Sequence, residues 1–122
     1  MPVIKPQRVE KPWGYELIWA RTERYVGKIL HINKGHALSL QYHVRKDETV
    51  HVLAGQMVFQ TGGEGEALQE RVLGPGESFH ITPLLRHRMI AQSDCDILEA
   101  STPELDDVVR LEDRYGREDR GV

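Results

Sequence analysis

The chain has 122 residues, a formal net charge of −3 with histidines neutral, and one cysteine, Cys95. That length supports one hydrophobic core and not two, the mild acidity argues against nucleic acid or an anionic membrane as the main partner, and a single thiol excludes an intrachain disulfide and favours a reducing, cytoplasmic setting. No apolar leader follows the basic residues Lys5 and Arg8, and no run of about eighteen apolar residues occurs, so the expectation is one soluble domain over residues 1–122, not exported by a signal peptide.

In chain order, the proline-rich residues 1–14 are expected to form an extended N-terminal arm. Short runs rich in β-branched, leucine and aromatic residues then predict strands over residues 16–20, 25–32, 37–43, 48–54, 56–61, 68–72, 77–81, 87–92 and 96–101. Many short strands at nearly regular spacing imply an all-β sandwich or barrel. The intervening Asn33-Lys34-Gly35, Ala54-Gly55, Gly62-Gly63-Glu64-Gly65 and Gly74-Pro75-Gly76 supply the residues that turns require. Residues 103–122 read as a short charged tail. Val108, Val109 and Leu111 within it are apolar enough for a docked strand or one helical turn, and the stretch from Arg114 onward is expected to fray.

Strand alternation sorts the polar residues. Gln41 and His43, two apart, share a face, and Glu48 opens the returning strand after the charged turn Val44-Arg45-Lys46-Asp47. If Glu48 faces inward, so do Val50 and Val52, while His51 faces out; Phe79 and Ile81 inward send His80 outward; His87, Met89 and Ala91 share a face. His31 and His36 beside the Gly35 turn read as surface residues, and Cys95 as a small strand residue. Gln41, His43, Glu48 and His87 would together offer a divalent ion such as zinc, manganese, iron or nickel a mixed nitrogen and oxygen set that leaves room for water or substrate. Gln41 is also readable as a hydrogen bonder beside a three-ligand metal.

These residues resemble the two cupin motifs. Gly35, Gln41, His43, Glu48 and Gly55 are similar to the first, with Gln41 in place of its first histidine; Gly76 and His87 keep register with the second, where Thr82, Leu84 and Ala91 replace proline, glycine and asparagine. A narrower resemblance spans almost the whole chain. "RVEKPWGYE" (residues 8–16), "LSLQYH" (38–43) and "DDVVRLEDRYGR" (106–117) look like segments of the C-terminal cupin domain of type II mannose-6-phosphate isomerase/mannose-1-phosphate guanylyltransferase proteins. The resemblance implies a double-stranded β-helix (jelly-roll, cupin) barrel, Gln41 as a true ligand, zinc as the first-choice metal, and aldose–ketose isomerisation of a phosphorylated sugar. It also implies a homodimer, by N-terminal strand exchange or sheet-edge pairing. Where that family commonly has several histidines and an arginine between the two ligands, this chain has Val44, Arg45, Lys46 and Asp47, and nothing resembles its nucleotide-transferring half, so guanylyl transfer by this chain alone is not expected.

For that reaction a phosphate anchor is needed. Lys28 is the candidate, because Lys28, Leu30 and Ile32 alternate on one strand face; a stem that packs while its amine reaches water is the competing reading. Trp13 either locks the first strand against the sheet or stacks on a sugar ring. No residue identifies itself as the proton-abstracting base. The alternatives to the isomerase are a non-catalytic sugar or nucleotide-sugar binding cupin and an iron or manganese cupin dioxygenase.

Overall fold

The computed structural model describes residues 3–118, and among them every regular element is a strand: β1 (Gln7–Lys11), β2 (Gly14–Arg21), β3 (Val26–Ile32), β4 (Leu40–Tyr42), β5 (Glu48–Ala54), β6 (Met57–Gly62), β7 (Gln69–Leu73), β8 (Ser78–Ile81), β9 (Arg86–Ala91), β10 (Cys95–Ser101) and β11 (Val109–Glu112). They form two antiparallel sheets, β1-β2-β3-β10-β5-β8 and β11-β4-β9-β6-β7, the two walls of a jelly-roll barrel. Among the described residues no helix is long and apolar enough to cross a membrane.

Period-two patterning places the core. Leu30 and Ile32 of β3, Val50 and Val52 of β5, Met57 and Phe59 of β6, Met89 and Ala91 of β9 and Ile97 of β10 are buried between the sheets. Each large apolar side chain so buried contributes about 1.5–3 kcal/mol. The same inward faces carry polar residues: Lys28 in β3, Glu48 in β5, His87 in β9 and Glu99 in β10 are all buried. A charge on an apolar strand face is costly unless paired, so these four positions mark where chemistry departs from packing. Gly55 sets the β5–β6 turn at φ +86, where a Cβ would stand 2.2 Å from the Asp94 carbonyl oxygen.

Three expectations change. The strand expected over 37–43 is regular only at β4; before it, Ala37 makes an isolated bridge to Ile90. The N-terminal arm contains a paired edge strand, β1, in register with β2 from Gln7↔Ile18 to Lys11↔Gly14. Mostly exposed, β1 has little apolar alternation to announce it. The tail does not fray at Arg114: Arg114 Nη1 donates to the Gly35 carbonyl (3.0 Å), and Tyr115 packs on the core with its hydroxyl 2.7 Å from His36 Nδ1. Parts of the expected arm and tail, residues 1–2 and 119–122, lie outside the described residues.

Candidate metal centre

His43 lies just beyond β4 and His87 within β9, both belonging to the five-stranded sheet, while Glu48 opens β5 in the other; the site bridges the two walls. Cross-strand pairing of Gln41 with His87 brings the two motifs together, and the Leu84 amide donates to the His43 carbonyl at 2.7 Å. Leu84 does so at φ +72, the left-handed region that costs a non-glycine residue about 1–2 kcal/mol. The glycine that the second cupin motif has here is absent, yet the backbone takes a glycine-like conformation.

Each imidazole is oriented by a carbonyl. His43 Nδ1 lies 2.6 Å from the Asp107 carbonyl oxygen and His87 Nδ1 2.9 Å from that of Leu85. A carbonyl only accepts, so each Nδ1 is assigned the proton and each Nε2 keeps a lone pair. Those lone pairs converge on one carboxylate: His43 Nε2 is 3.6 Å from Glu48 Oε2 and His87 Nε2 3.7 Å from Glu48 Oε1. Both Nε2 atoms are buried without a hydrogen-bond partner, and the ligand atoms of the three residues lie within 4.8 Å of one another. Two imidazole nitrogens and a carboxylate oxygen, so placed and unsatisfied, could hold a divalent ion.

Gln41 lines the same cavity of about 220 Å³, with its Oε1 accepting from Ser39 Oγ at 2.6 Å. Lys28 is also in the wall, its Nζ 3.5 Å from Glu16 Oε2. Trp13 is 2% exposed in the core cluster, as its strand-locking reading expects, and it also forms part of the cavity wall.

The charged turn is only partly a solvated loop. Val44 and Arg45 are exposed, but Lys46 is buried. Its Nζ lies 2.8 Å from Glu48 Oε2 and 3.2 Å from Glu99 Oε2, ion-pair distances outside good hydrogen-bond alignment. Burial opposes the Lys46 charge, but Glu99 and Glu48 outweigh it and raise its pKa. Burial would likewise raise the Glu48 carboxyl, yet the His43 contact and the Lys46 charge hold it at about 2. At 3.6 Å, with a lone pair and no proton on His43 Nε2, that contact is no hydrogen bond, and the Lys46 ammonium at 2.8 Å is the cause that remains. Burial lowers His87 to about 4, which keeps the imidazole neutral, as a metal ligand must be. Burial and the neighbouring Glu48 raise Glu99.

Lys46, Glu99 and Glu16 join the centre's surroundings beyond the residues expected from the sequence. The signal was available: Lys46 stands two residues before Glu48, and Glu99 alternates with buried Cys95 and Ile97, the parity that identified Lys28. The remaining histidines lie outside the centre, His31 on Asp96, His36 on Tyr115, His51 on Ser78 and His80 on Asp47. His31 and His36 are half-buried rather than surface residues. Cys95 is buried, and that burial pushes its thiol pKa up, away from reactivity.

The chain is 36% identical over 117 residues to the mannose-1-phosphate guanylyltransferase ManC of Salmonella typhimurium, an alignment covering 91% of this chain and 23% of that protein. It thus spans 23% of the length of the curated relatives it matches. Its fold is similar to that of the capsular polysaccharide assembling protein CapF from Staphylococcus aureus (TM-score 0.75, 17% identity, 89% of this chain and 33% of that one). It is also similar to KdgF from Halomonas sp. (TM-score 0.65, 26% identity, 84% and 91%). Residues 28–100, from the buried lysine of β3 to the end of the inward face of β10, match the cupin domain, and the chain belongs to the cupin family.

Proposed function

We propose that this cupin uses one divalent metal ion, zinc first among zinc, manganese, iron and nickel, to act on a phosphorylated sugar by aldose–ketose isomerisation of the mannose-6-phosphate isomerase kind. The observation that carries the reading is the convergence of two buried, unpartnered Nε2 atoms and one carboxylate beside a cavity of about 220 Å³. His43, Glu48 and His87 would hold the ion, with Gln41 as a fourth ligand if its amide oxygen turns from Ser39. The ion, when bound, supplies Lewis acidity toward the sugar carbonyl and adjacent hydroxyl. The similarity to mannose-1-phosphate guanylyltransferases supports a mannose phosphate as the substrate class.

The chain's own residues account for the rest. Lys28, in the cavity wall, is the phosphate anchor, sharing its charge with Glu16. Trp13 and Leu38 give the sugar carbons an apolar wall. Moving a proton between adjacent carbons needs a group whose proton affinity is raised toward neutrality. Glu99, buried in the same wall and raised by burial and by Glu48, fills that role better than any residue the sequence had offered.

The test is conversion of mannose 6-phosphate to fructose 6-phosphate, followed by NMR in anaerobic buffer with the zinc-loaded protein. Conversion that disappears in His87→Ala supports the reading, and oxygen uptake by iron-loaded protein in place of conversion would move it to a dioxygenase. One observation favours a binding role without turnover: the Lys46 ammonium already occupies Glu48 and Glu99, at 2.8 and 3.2 Å from their Oε2 atoms. A melting temperature raised by mannose phosphates with no conversion would establish that second reading. We also propose a homodimer, in keeping with the exposed Trp19 and Tyr25; a monomeric mass by light scattering at micromolar concentration contradicts it.

A further inference from the structure

The turn of residues 44–47 carries the chain from one metal-ligating sheet to the other, and one distant residue holds most of it. Asp107 lies between β10 and β11. Its Oδ1 accepts from the Val44 amide at 3.0 Å, and its Oδ2 accepts from the Arg45 and Lys46 amides at 2.6 and 2.9 Å. Its own carbonyl accepts from His43 Nδ1 at 2.6 Å. A single residue thus engages four consecutive residues, 43 to 46. The far end of the turn is tied to the same downstream segment, since Asp47 N donates to Thr102 Oγ1 and Thr102 N to the Asp47 carbonyl, both at 3.0 Å.

We infer that Asp107 is the positioning residue of the metal centre. Its carboxylate fastens the 44–46 turn so that its carbonyl meets His43 Nδ1 and the His43 Nε2 lone pair is aimed at the site. An imidazole presents a lone pair at Nε2 only while its proton sits on Nδ1, and the acceptor facing Nδ1 decides that. That acceptor is a carbonyl in a segment without regular structure, so its place must be set by something else. Three charge-assisted bonds from backbone amides to the same residue's carboxylate set it. Lys46 is placed by the same bonds, because its amide is one of the three and its ammonium reaches Glu48. His87 provides a contrast within the site: its Nδ1 partner, the Leu85 carbonyl, is two residues away and does not depend on Asp107.

The consequence for metal affinity rests on the metal reading given above, whereas the consequence for the imidazole does not, and the experiment separates them. In metal-free, nitrogen-15-labelled protein, long-range proton–nitrogen correlation spectra read the tautomers of His43 and His87. The wild type is expected to show Nδ1–H for both. Asp107→Ala is expected to leave His87 unchanged and turn His43 into a tautomer mixture or its Nε2–H form. Zinc affinity, measured by competition with a chromophoric chelator, falls about 10- to 100-fold, the range for losing a partner that orients a ligand. Asp107→Asn, which retains one amide-accepting oxygen, falls between. If zinc binds neither protein but the His43 tautomer still switches alone, the metal reading fails and the positioning role stands. An Nε2–H His43 in the wild type, an unchanged tautomer and zinc affinity in Asp107→Ala, or equal disturbance of His43 and His87 in both variants would each overturn the inference.

Discussion

The cavity has two ends built on opposite principles. At one, the Nε2 atoms of His43 and His87, lone pairs fixed by backbone carbonyls, are buried without a hydrogen-bond partner and converge on Glu48. At the other, Glu16, Lys28, Lys46 and Glu99 pair among themselves at 3.2 to 3.5 Å. An unsatisfied buried polar atom costs on the order of 1–3 kcal/mol, and a buried charge more, so such atoms persist where something binds them. Paired charges need no ligand to persist. The first end is thus where an added cation is wanted, and the second is where charge is already paired. Lys46 belongs to both, touching Glu48 and Glu99.

The largest expected effect breaks the first end. His87→Ala or Glu48→Gln should take zinc content, by elemental analysis of the purified protein, from one per chain to background. Next in size is a break at the second. Lys46→Met leaves Glu48 and Glu99 facing one another without their cation, and should cost about 3–5 kcal/mol of metal-free stability in urea titration. Zinc should restore part of that loss, because it supplies positive charge to Glu48. A variant as stable as the wild type would show that Lys46 does not balance the pair.

Acid sharpens the comparison by acting on the first end. His87 is lowered to about 4 from 6.5, so the unfolded chain binds the proton more readily. Its stabilising contribution is complete above pH 6.5 and is lost as pH falls toward 4. Glu48, lowered to about 2 from 4.5, contributes fully above pH 4.5 and is lost as pH falls toward 2. Stability of the metal-free protein should therefore fall in two successive stages on acidification. For His87 the loss is on the order of 3 kcal/mol, and His87→Ala should flatten the stage between pH 6.5 and 4 in urea midpoints taken across that range. The smallest effect is expected at Leu84, 60% exposed and at φ +72. Leu84→Gly relieves the left-handed strain but frees the unfolded chain, leaving a net change within about 1 kcal/mol by thermal unfolding and no change in zinc affinity.

How legible each region was in the sequence follows from the same contrast. His43, Glu48 and His87 could be aligned because turn and strand geometry fix their local spacing, and alternation alone put Val50, Val52 and Met89 inside. Lys46 read as one more charge in a turn, since its reason for burial, Glu99, is brought to it by the pairing of β5 with β10. Asp107 gave less signal still, because its partners are backbone amides and carry no side-chain signature. The order of the tail had the same cause: Tyr115 looked like part of a frayed end until His36 was seen beneath it. What escaped the sequence is what depends on a partner across the barrel.

Anomalous scattering at the zinc edge from crystals of the zinc-loaded protein tests the central claim most directly. The account predicts one peak per chain, within bonding distance of His43 Nε2, His87 Nε2 and a Glu48 carboxylate oxygen. A peak elsewhere, or none with both Nε2 atoms still unligated and the cavity dry, would contradict it.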